Sequence, residues 1–359
     1  MHEDAVEFLR CPNTGAPVEI LSVEDRNGAD ILDGILGATG PTSGHRYAIS
    51  HGVPNFIAPL SDADQRQSID TFGAEWKKYD YWGWLDEVPE GDEPLQYIGG
   101  LMNFSRMFFK LKTQFDHIDL PKDPLVLDTG CGNGRHSFQA REHGIDRIIS
   151  MDASEAVYVA RKNFHDRGIG GVTFVRGNVL NMPIRTDALD FAFTIGVMQH
   201  TGGARELLGE MARVTKPQAA VSVNCYGTGT LIYEVVDALL RSVTTRLSRQ
   251  RQEKLAASFS RFGRWVWPGR EKGFKQFIFQ NMNIMPTDHH MFDWYGPRIA
   301  EHYSPTQLLR LFADAGLIPQ AGNFEIWKDG YDDSFRRTNH QAFAIYLKNG
   351  KQGATGREG

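Results

Sequence analysis

Cysteine is scarce in this sequence of 359 residues. The three cysteines, Cys11, Cys131 and Cys225, are far apart and odd in number. They therefore predict no disulfide framework and favour a reducing compartment, the cytoplasm. Long apolar runs are missing too, since no stretch reaches the roughly 18 apolar residues of a membrane-spanning helix. The acidic start, with no apolar segment behind it, does not resemble a secretory signal.

An excess of positive charge is also missing. The 39 lysines and arginines face 44 aspartates and glutamates, which gives a net charge of −5 with neutral histidines. This balance argues against non-specific binding to nucleic acid, although a local basic face can still bind phosphates. Residues 241–275 form such a basic segment, with Trp265 and Trp267 among the charges. It could contact RNA phosphates, an acidic metabolite or a membrane surface, or simply face solvent.

The composition changes along the chain. Short apolar runs alternate with amphipathic helices in the middle of the sequence, which predicts a parallel α/β sheet. A β-rich module precedes it, and a helical insertion follows its fifth strand. The predicted segments are 1–60 (β-rich module), 61–120 (aromatic-rich helices of a lid), 121–226 (α/β core), 227–303 (lid insertion for substrate recognition), 304–349 (end of the core) and 350–359 (disordered tail).

The strongest local signal is a glycine-rich turn in the predicted core. A buried strand runs into Asp128, and Gly130, Gly132 and Gly134 follow before a helix begins at Arg135. Glycines suit such a turn because a Cβ would collide with a ligand or forbid the backbone conformation. A dinucleotide fingerprint needs a glycine where Arg135 stands, so a nicotinamide cofactor is disfavoured. The spacing of the glycines behind an aspartate is the methyltransferase pattern.

The second signal is Asp152, which ends the next predicted strand. A carboxylate at this position can accept hydrogen bonds from both hydroxyls of a ribose. The alternative is an ordinary aspartate at a strand end that caps the following helix.

Four stretches of the core together resemble class I S-adenosylmethionine (SAM)-dependent methyltransferases, most of all the branch of the ubiquinone and menaquinone biosynthesis enzymes. They are residues 126–136, 149–154, 176–191 and 195–201. The resemblance implies a Rossmann-like, mostly parallel seven-stranded sheet and SAM as the cofactor. It places the cofactor on Asp128, Gly130, Gly132 and Gly134 (methionine part), Asp152 (ribose), Asn178 and Val179 (adenine), and Ile195.

Two departures from the family pattern stand out. Many members have aspartate at the position of Asn178, whose amide oxygen can still accept a hydrogen bond from the adenine amine. Many also have Lys-Pro-Gly-Gly before the fifth strand, where this chain has Lys216 to Ala219. We expect the second departure to change a surface turn and not the cofactor site.

The N-terminal segment carries another resemblance. Residues 8–17 and 47–57 are similar to the small zinc-ribbon activator subunits of tRNA and protein methyltransferases. Zinc takes about four nitrogen or sulfur ligands, and only Cys11 remains here, with His45 and His51 as weak extras. We therefore expect a module without metal that is held by packing.

Methyl transfer needs a base only when the nucleophile starts protonated. His200, just past the fourth core strand, is the first candidate, and His290 and Tyr295 belong to a polar and aromatic cluster beside the lid. We predict that these three line the acceptor pocket, with a structural hydrogen-bonding role as the alternative for each. The helix around Phe72 and Trp76 can close over the cofactor, where aromatic faces attract a sulfonium, or it can pack as plain core.

The lid insertion contains an apolar stripe at helical spacing, formed by Ile232, Val236, Leu239, Leu240, Val243 and Leu247. The stripe predicts a helix packed against the core. The sequence as a whole predicts a SAM-dependent methyltransferase that acts on N or O of a small or medium-sized metabolite. An RNA base methyltransferase and a catalytically silent SAM-binding partner subunit are the alternatives. The acceptor and the oligomeric state are not determined by the sequence.

Overall fold

The computed structural model describes residues 1–40, 44–85, 101–270, 272–322 and 342–351. The last eight residues of the predicted disordered tail lie outside these ranges. None of the described helices is long and apolar enough to cross a bilayer.

The N-terminal module is a four-stranded antiparallel sheet in the order β1-β2-β3-β4. Its strands are β1 (Val18–Asn27), β2 (Asp30–Ala38), β3 (Arg46–Ser50) and β4 (Val53–Pro54), preceded by a 3-10 helix at Glu3–Phe8. The module packs on the rest of the chain, because Phe56 N donates to Arg176 O at 2.8 Å and Leu9 bridges to Ile184. Within the described ranges, no group of three or more His, Cys, Asp or Glu side chains is placed to hold a metal ion.

The main sheet has seven strands in the order β10-β11-β9-β8-β5-β6-β7. Five of them, β5 to β9, run parallel, and β11 is antiparallel to both of its neighbours. This confirms the predicted Rossmann-like, mostly parallel sheet. The strands are β5 (Leu125–Thr129), β6 (Arg147–Asp152), β7 (Val172–Arg176), β8 (Leu189–Ile195), β9 (Thr215–Tyr226), β10 (Leu317–Gly322) and β11 (Ala342–Asn349).

Four helices cover the faces of this sheet: α3 (Arg135–Glu142), α4 (Ala156–His165), α5 (Ala204–Val214) and α10 (Pro305–Asp314). A capping box begins α10, since Ser304 and Gln307 satisfy each other's backbone N–H groups. In the sheet, β6 lies on one side of β5 and β8 on the other, so the strand order reverses at β5. A ligand crevice is expected at the carboxyl ends of the strands at such a point.

A further helix, α2 (Leu101–Thr113), packs on the sheet against β8, β9 and β11. The remaining helices are α1 (Ala63–Lys78), α6 (Leu231–Thr244), α7 (Arg249–Val266), α8 (Gly273–Met282) and α9 (Asp288–Tyr295), with short 3-10 helices at Phe115–His117, Met198–His200 and Trp267–Gly269. The side chain of Asp62 caps α1 by accepting from Asp64 N and Gln65 N. Since α9 contacts both α1 and α7, the insertion after β9 and the helix before β5 form one cover.

Candidate functional site

A cavity of about 180 Å³ lies at the carboxyl ends of the parallel strands. The glycine loop after β5, the residues after β6 and β7 and the end of β8 form its floor, and α1 covers it. Six of the predicted cofactor residues line its wall: Gly130, Gly132, Asp152, Asn178, Val179 and Ile195.

The three glycines of the loop have left-handed backbone conformations. Gly130, Gly132 and Gly134 have φ angles of +82°, +54° and +86°, which only glycine adopts cheaply. A Cβ on Gly132 would lie 2.8 Å from Trp76 Nε1, and one on Gly134 would lie 3.0 Å from the Ala160 Cβ. The loop therefore needs glycine to bring α1 and α4 close to the strand, in addition to leaving its backbone open to the cavity.

Asp128 lies behind the wall of the cavity and does not form part of it. Its carboxylate is buried and accepts a hydrogen bond from Ser137 Oγ at 2.6 Å. Burial raises the pKa of Asp128 to about 7. The resemblance places this residue at the methionine part of the cofactor. In the structure, its hydrogen bond to Ser137 joins the end of β5 to α3.

Asp152 lies on the wall and connects two turns. Its Oδ2 accepts from Gly132 N at 2.9 Å, and its Oδ1 accepts from Ser154 N at 2.8 Å and from Ser154 Oγ at 2.7 Å. Burial raises the pKa of Asp152, although these hydrogen bonds oppose the shift. A carboxylate has about four acceptor positions and three are used here, so one position, on Oδ2, is left to accept from a ribose hydroxyl.

Asn178 and Val179 follow β7 at the neighbouring part of the wall. The Asn178 Oδ1 accepts from Leu180 N at 2.9 Å, which fixes the turn. This bond uses one of the two lone pairs of the oxygen that was expected to face an adenine amine. Val179 is buried and supplies an apolar surface, which suits the face of a base.

The aromatic helix α1 lies over the cavity. Phe72 and Trp76 both line it, and the Phe72 ring centroid is 4.8 Å from that of His200 in an edge-on contact. The guanidinium of Arg135 lies 5.1 Å from the centre of the Trp76 ring. These rings could therefore meet a bound sulfonium as well as pack the cover.

His200 lines the cavity as predicted. Its Nδ1 lies 2.7 Å from Ile299 O, and because a carbonyl oxygen only accepts, Nδ1 carries the proton. The buried Nε2 has no hydrogen-bond partner among the described residues. Burial lowers the pKa of His200 to about 3, so the ring is neutral and its Nε2 is a hydrogen-bond acceptor but a weak base.

His290 and Tyr295, the other two predicted residues of the acceptor pocket, are not among the residues that line this cavity. His290 Nδ1 lies 2.6 Å from Thr287 Oγ1 at the start of α9. The Tyr295 hydroxyl donates to Met282 O at 2.7 Å and its ring is part of an apolar cluster. Both side chains belong to the packing of the cover.

Sequence reasoning missed three charged residues of the wall: Lys112 on α2, Arg135 on α3 and Asp293 on α9. Burial, followed by repulsion from Glu75, raises the pKa of Asp293 to about 7. The sequence offered one signal: Asp293 is four residues beyond His289, so the two side chains lie on one face of α9. In the structure, His289 Nε2 lies 3.0 Å from Glu75 Oε1 on α1. The face of α9 that carries both residues is the one that faces α1.

Comparisons with known proteins agree with this geometry. Residues 126–218 match the family model described as a methyltransferase domain. The biotin biosynthesis bifunctional protein BioHC of Cellvibrio japonicus is 24% identical over 181 residues, which are 50% of this chain and 31% of that protein. The tRNA U34 carboxymethyltransferase of the same organism is 29% identical over 106 residues, which are 28% of this chain and 32% of that protein. The chain thus spans about a third of the length of these two relatives.

A solved structure is similar as well. The geranyl diphosphate C-methyltransferase from Streptomyces coelicolor A3(2) is 14% identical, with a TM-score of 0.46, over 81% of this chain and 100% of that one. The part of the chain that matches a methyltransferase domain, residues 126–218, thus lies in the mostly parallel seven-stranded sheet described above.

Proposed function

We propose that the protein transfers a methyl group from SAM to a nitrogen or oxygen atom of a small or medium-sized metabolite. The observation that carries the proposal is that six of the eight residues predicted to bind the cofactor line one cavity together with two groups suited to an acceptor, His200 and Asp293. SAM supplies an electrophilic methyl group on a sulfonium that is its own leaving group. The protein must therefore mainly place the nucleophile in line with that methyl group and keep water out.

Asp293 is the residue that we assign as the base. A general base works best with a pKa near the operating pH, and the pKa of Asp293 is raised to about 7. His200 cannot take this role well, because the pKa of its ring is lowered to about 3. Its free Nε2 can instead accept a hydrogen bond from the acceptor's hydroxyl or amine and orient it.

A small acceptor fits the enclosure of the site. The cavity is covered by α1 and α9 and holds about 180 Å³, which leaves little room for a polymer without movement of the cover. The sequence resemblance to the quinone biosynthesis branch, which stays a hypothesis, suggests aromatic metabolites as the first acceptors to try. The second candidate function is methylation of an RNA base, which the similarity to the tRNA U34 carboxymethyltransferase and the basic segment 241–275 favour.

Transfer of a radiolabelled methyl group from SAM into a fractionated cell extract tests the proposal, with Asp152→Ala as the inactive control. We expect label in small molecules with the wild type and none with the variant. Label in an RNase-sensitive polymer would replace the metabolite by RNA. If SAM binds but no fraction is labelled, the silent-subunit alternative holds.

A further inference from the structure

Two cations converge on the end of the cavity that holds Asp293. Lys112 lies near the end of α2 and Arg135 at the start of α3, two helices that contact each other. Arg135 Nε donates to His136 Nε2 at 3.3 Å. Among the residues that the structure describes, no carboxylate lies within ion-pair distance of either cation. Both charged ends therefore face the cavity without a counterion.

The nearby carboxyl groups are protonated, and so do not neutralise this pair, below a pH of about 7. Burial raises the pKa of Asp293 to about 7 and that of Glu75, which is fully buried behind the wall, to about 8. Burial also lowers the pKa of Lys112 to about 8, and the charge of Arg135 adds to this shift. The Arg135 and Lys112 cations lie over the Trp76 and Phe108 rings, but two cations without a counterion in a buried site are still costly, and a bound anion would offset that cost.

We propose that Lys112 and Arg135 bind an acidic group, a carboxylate or a phosphate, of the methyl acceptor. The inference rests on the proposed function and adds the class of acceptor to it. A guanidinium binds both kinds of anion in a two-pronged geometry and an ammonium adds a point charge. Since Asp293 lies at the same end of the cavity, the acidic group would hold the nucleophile of the acceptor beside the base.

The carboxylate of the cofactor is another source of the same chemistry, and binding experiments separate the two. Inorganic phosphate is added at constant ionic strength to protein saturated with S-adenosylhomocysteine (SAH), and thermal unfolding is followed. We expect a saturable rise in Tm for the wild type. For Lys112→Gln we expect phosphate binding about tenfold weaker, as for the loss of one charge-assisted hydrogen bond. Lys110→Gln is the matched control, because Lys110 is on the same helix but is exposed and paired with Asp116 at 3.0 Å.

The cofactor arm compares SAH with 5′-methylthioadenosine, which lacks the amino-acid part. Unchanged affinity of Lys112→Gln for both ligands supports the proposal. Loss of affinity for SAH alone would assign the cations to the cofactor and overturn it, as would an equal phosphate response in wild type and variant.

The activity arm uses a metabolite extract separated on an anion exchanger. Label in the retained fractions supports an acidic acceptor, and label only in the flow-through overturns it. If phosphate binds as expected but no fraction is labelled, the proposed function fails while the anion site stands.

A second, independent observation concerns α6. Half of its predicted stripe is exposed, since Ile232, Leu239 and Val243 are 51%, 65% and 60% exposed, whereas Leu240 packs against the apolar cluster of the cover. Leu231 and Val235, outside the stripe, are 81% and 50% exposed. The buried side chains of α6 are polar or aromatic. Trp294 Nε1 donates to Asp237 Oδ1 at 2.8 Å, and Arg241 Nη2 donates to Pro297 O at 2.6 Å. This hydrogen-bond network decides which side of the helix turns inward.

The neighbouring helix adds to the exposed apolar surface. Thr230 Oγ1 donates to Asn281 Oδ1 at 2.9 Å, which joins the start of α6 to the end of α8, so the two helices run antiparallel. Phe274 on α8 is 70% exposed and Phe277 is half exposed. We call the exposed apolar residues of the two helices the α6–α8 face: Leu231, Ile232, Val235, Leu239, Val243, Phe274 and Phe277. Seven large apolar side chains exposed on two neighbouring helices mark an interaction site.

The segment that carries this face is basic. Residues 231–282 contain ten lysines and arginines, five of them on α7, and four acidic residues, in a chain whose net charge is −5. A second copy of the chain would bring two positive segments together, which is unfavourable, and RNA would leave the seven apolar side chains without an apolar contact. An anionic bilayer surface can bind the basic and the apolar side chains together, because apolar side chains enter the headgroup boundary while basic ones contact anionic lipids.

We infer that the α6–α8 face docks on an anionic lipid bilayer. Sedimentation with vesicles of equal parts phosphatidylglycerol and phosphatidylcholine tests this, against vesicles of phosphatidylcholine alone. We expect the wild type to sediment with the anionic vesicles only. The double variant Leu239→Ser, Val243→Ser should stay in the supernatant, and Leu309→Ser, which removes a 44% exposed leucine on α10, should behave as the wild type.

Two outcomes would overturn the docking inference. One is a wild-type protein that does not sediment with anionic vesicles. The other is a dimer in light scattering that the double variant converts to a monomer, which would assign the face to a second copy of the chain.

Discussion

Asp152→Ala is expected to weaken the binding of SAH about 10- to 100-fold. A hydrogen bond to a charged group is worth about 1.5–3 kcal/mol, and the carboxylate would lose the one bond that its free acceptor position can make to the ribose. The carboxylate also fixes the turn that lines the cavity, because it accepts from both Gly132 N and Ser154 N. The variant therefore loses the ligand contact and the shape of the site together.

Isothermal titration of SAH on the folded protein measures this loss. Thermal unfolding without ligand belongs beside it, since the freed Gly132 and Ser154 groups should also cost about 1–3 kcal/mol of unfolding free energy. Asp166→Ala is the matched control, because Asp166 is an exposed aspartate whose partner is Lys162 at the end of α4. An unchanged Kd in a folded Asp152→Ala protein would remove this residue from the cofactor site.

Asp293→Asn is expected to lower kcat by about 100-fold or more, which is the usual contribution of a positioned base. The pH profile should change with it. The pKa of Asp293 is raised to about 7, so the carboxyl is protonated below that pH and cannot take a proton. The kcat of the wild type should therefore rise as the pH increases through about 7 and then level off, whereas the variant should lack this inflection.

Tyr295→Phe is the control for this pH experiment, because Tyr295 is on the same helix but off the cavity wall. It should keep the activity and the pH profile and lose about 1 kcal/mol of unfolding free energy with its hydrogen bond to Met282. Steady-state kinetics from pH 5 to pH 9, a range chosen around the pKa of about 7, measure both variants. An inflection that persists in Asp293→Asn would assign the titration to another group, of which Glu75 is the nearest candidate.

Local signals were read correctly where they depend on few residues in sequence. The glycine loop, the parallel strands and the capping box of α10 follow from turn chemistry, apolar runs and side-chain-to-backbone bonds that span a few positions. Most of the predicted cofactor residues also reach one cavity, because the carboxyl ends of parallel strands must meet at one edge of the sheet.

The acceptor end of the site could not be predicted in the same way. His290, Asp293 and Tyr295 lie within one and a half turns of α9, and only the packing of that helix on α1 decides that Asp293 faces the cavity. Lys112 comes from a helix that precedes the first core strand, so no motif links it to Arg135. Asp128 matched the family pattern, yet its bond to Ser137 holds it behind the wall.

The sequence by itself determined the class of fold, the glycine loop and the side of the sheet on which a cofactor binds, because these follow from local conformational preferences and from the direction of the strands. Only the tertiary structure decided which charges reach the cavity and which apolar residues of α6 face outward. Those outcomes depend on hydrogen bonds between helices far apart in sequence, such as that of Trp294 with Asp237. Hydrophobic periodicity along one helix contains no information about such partners.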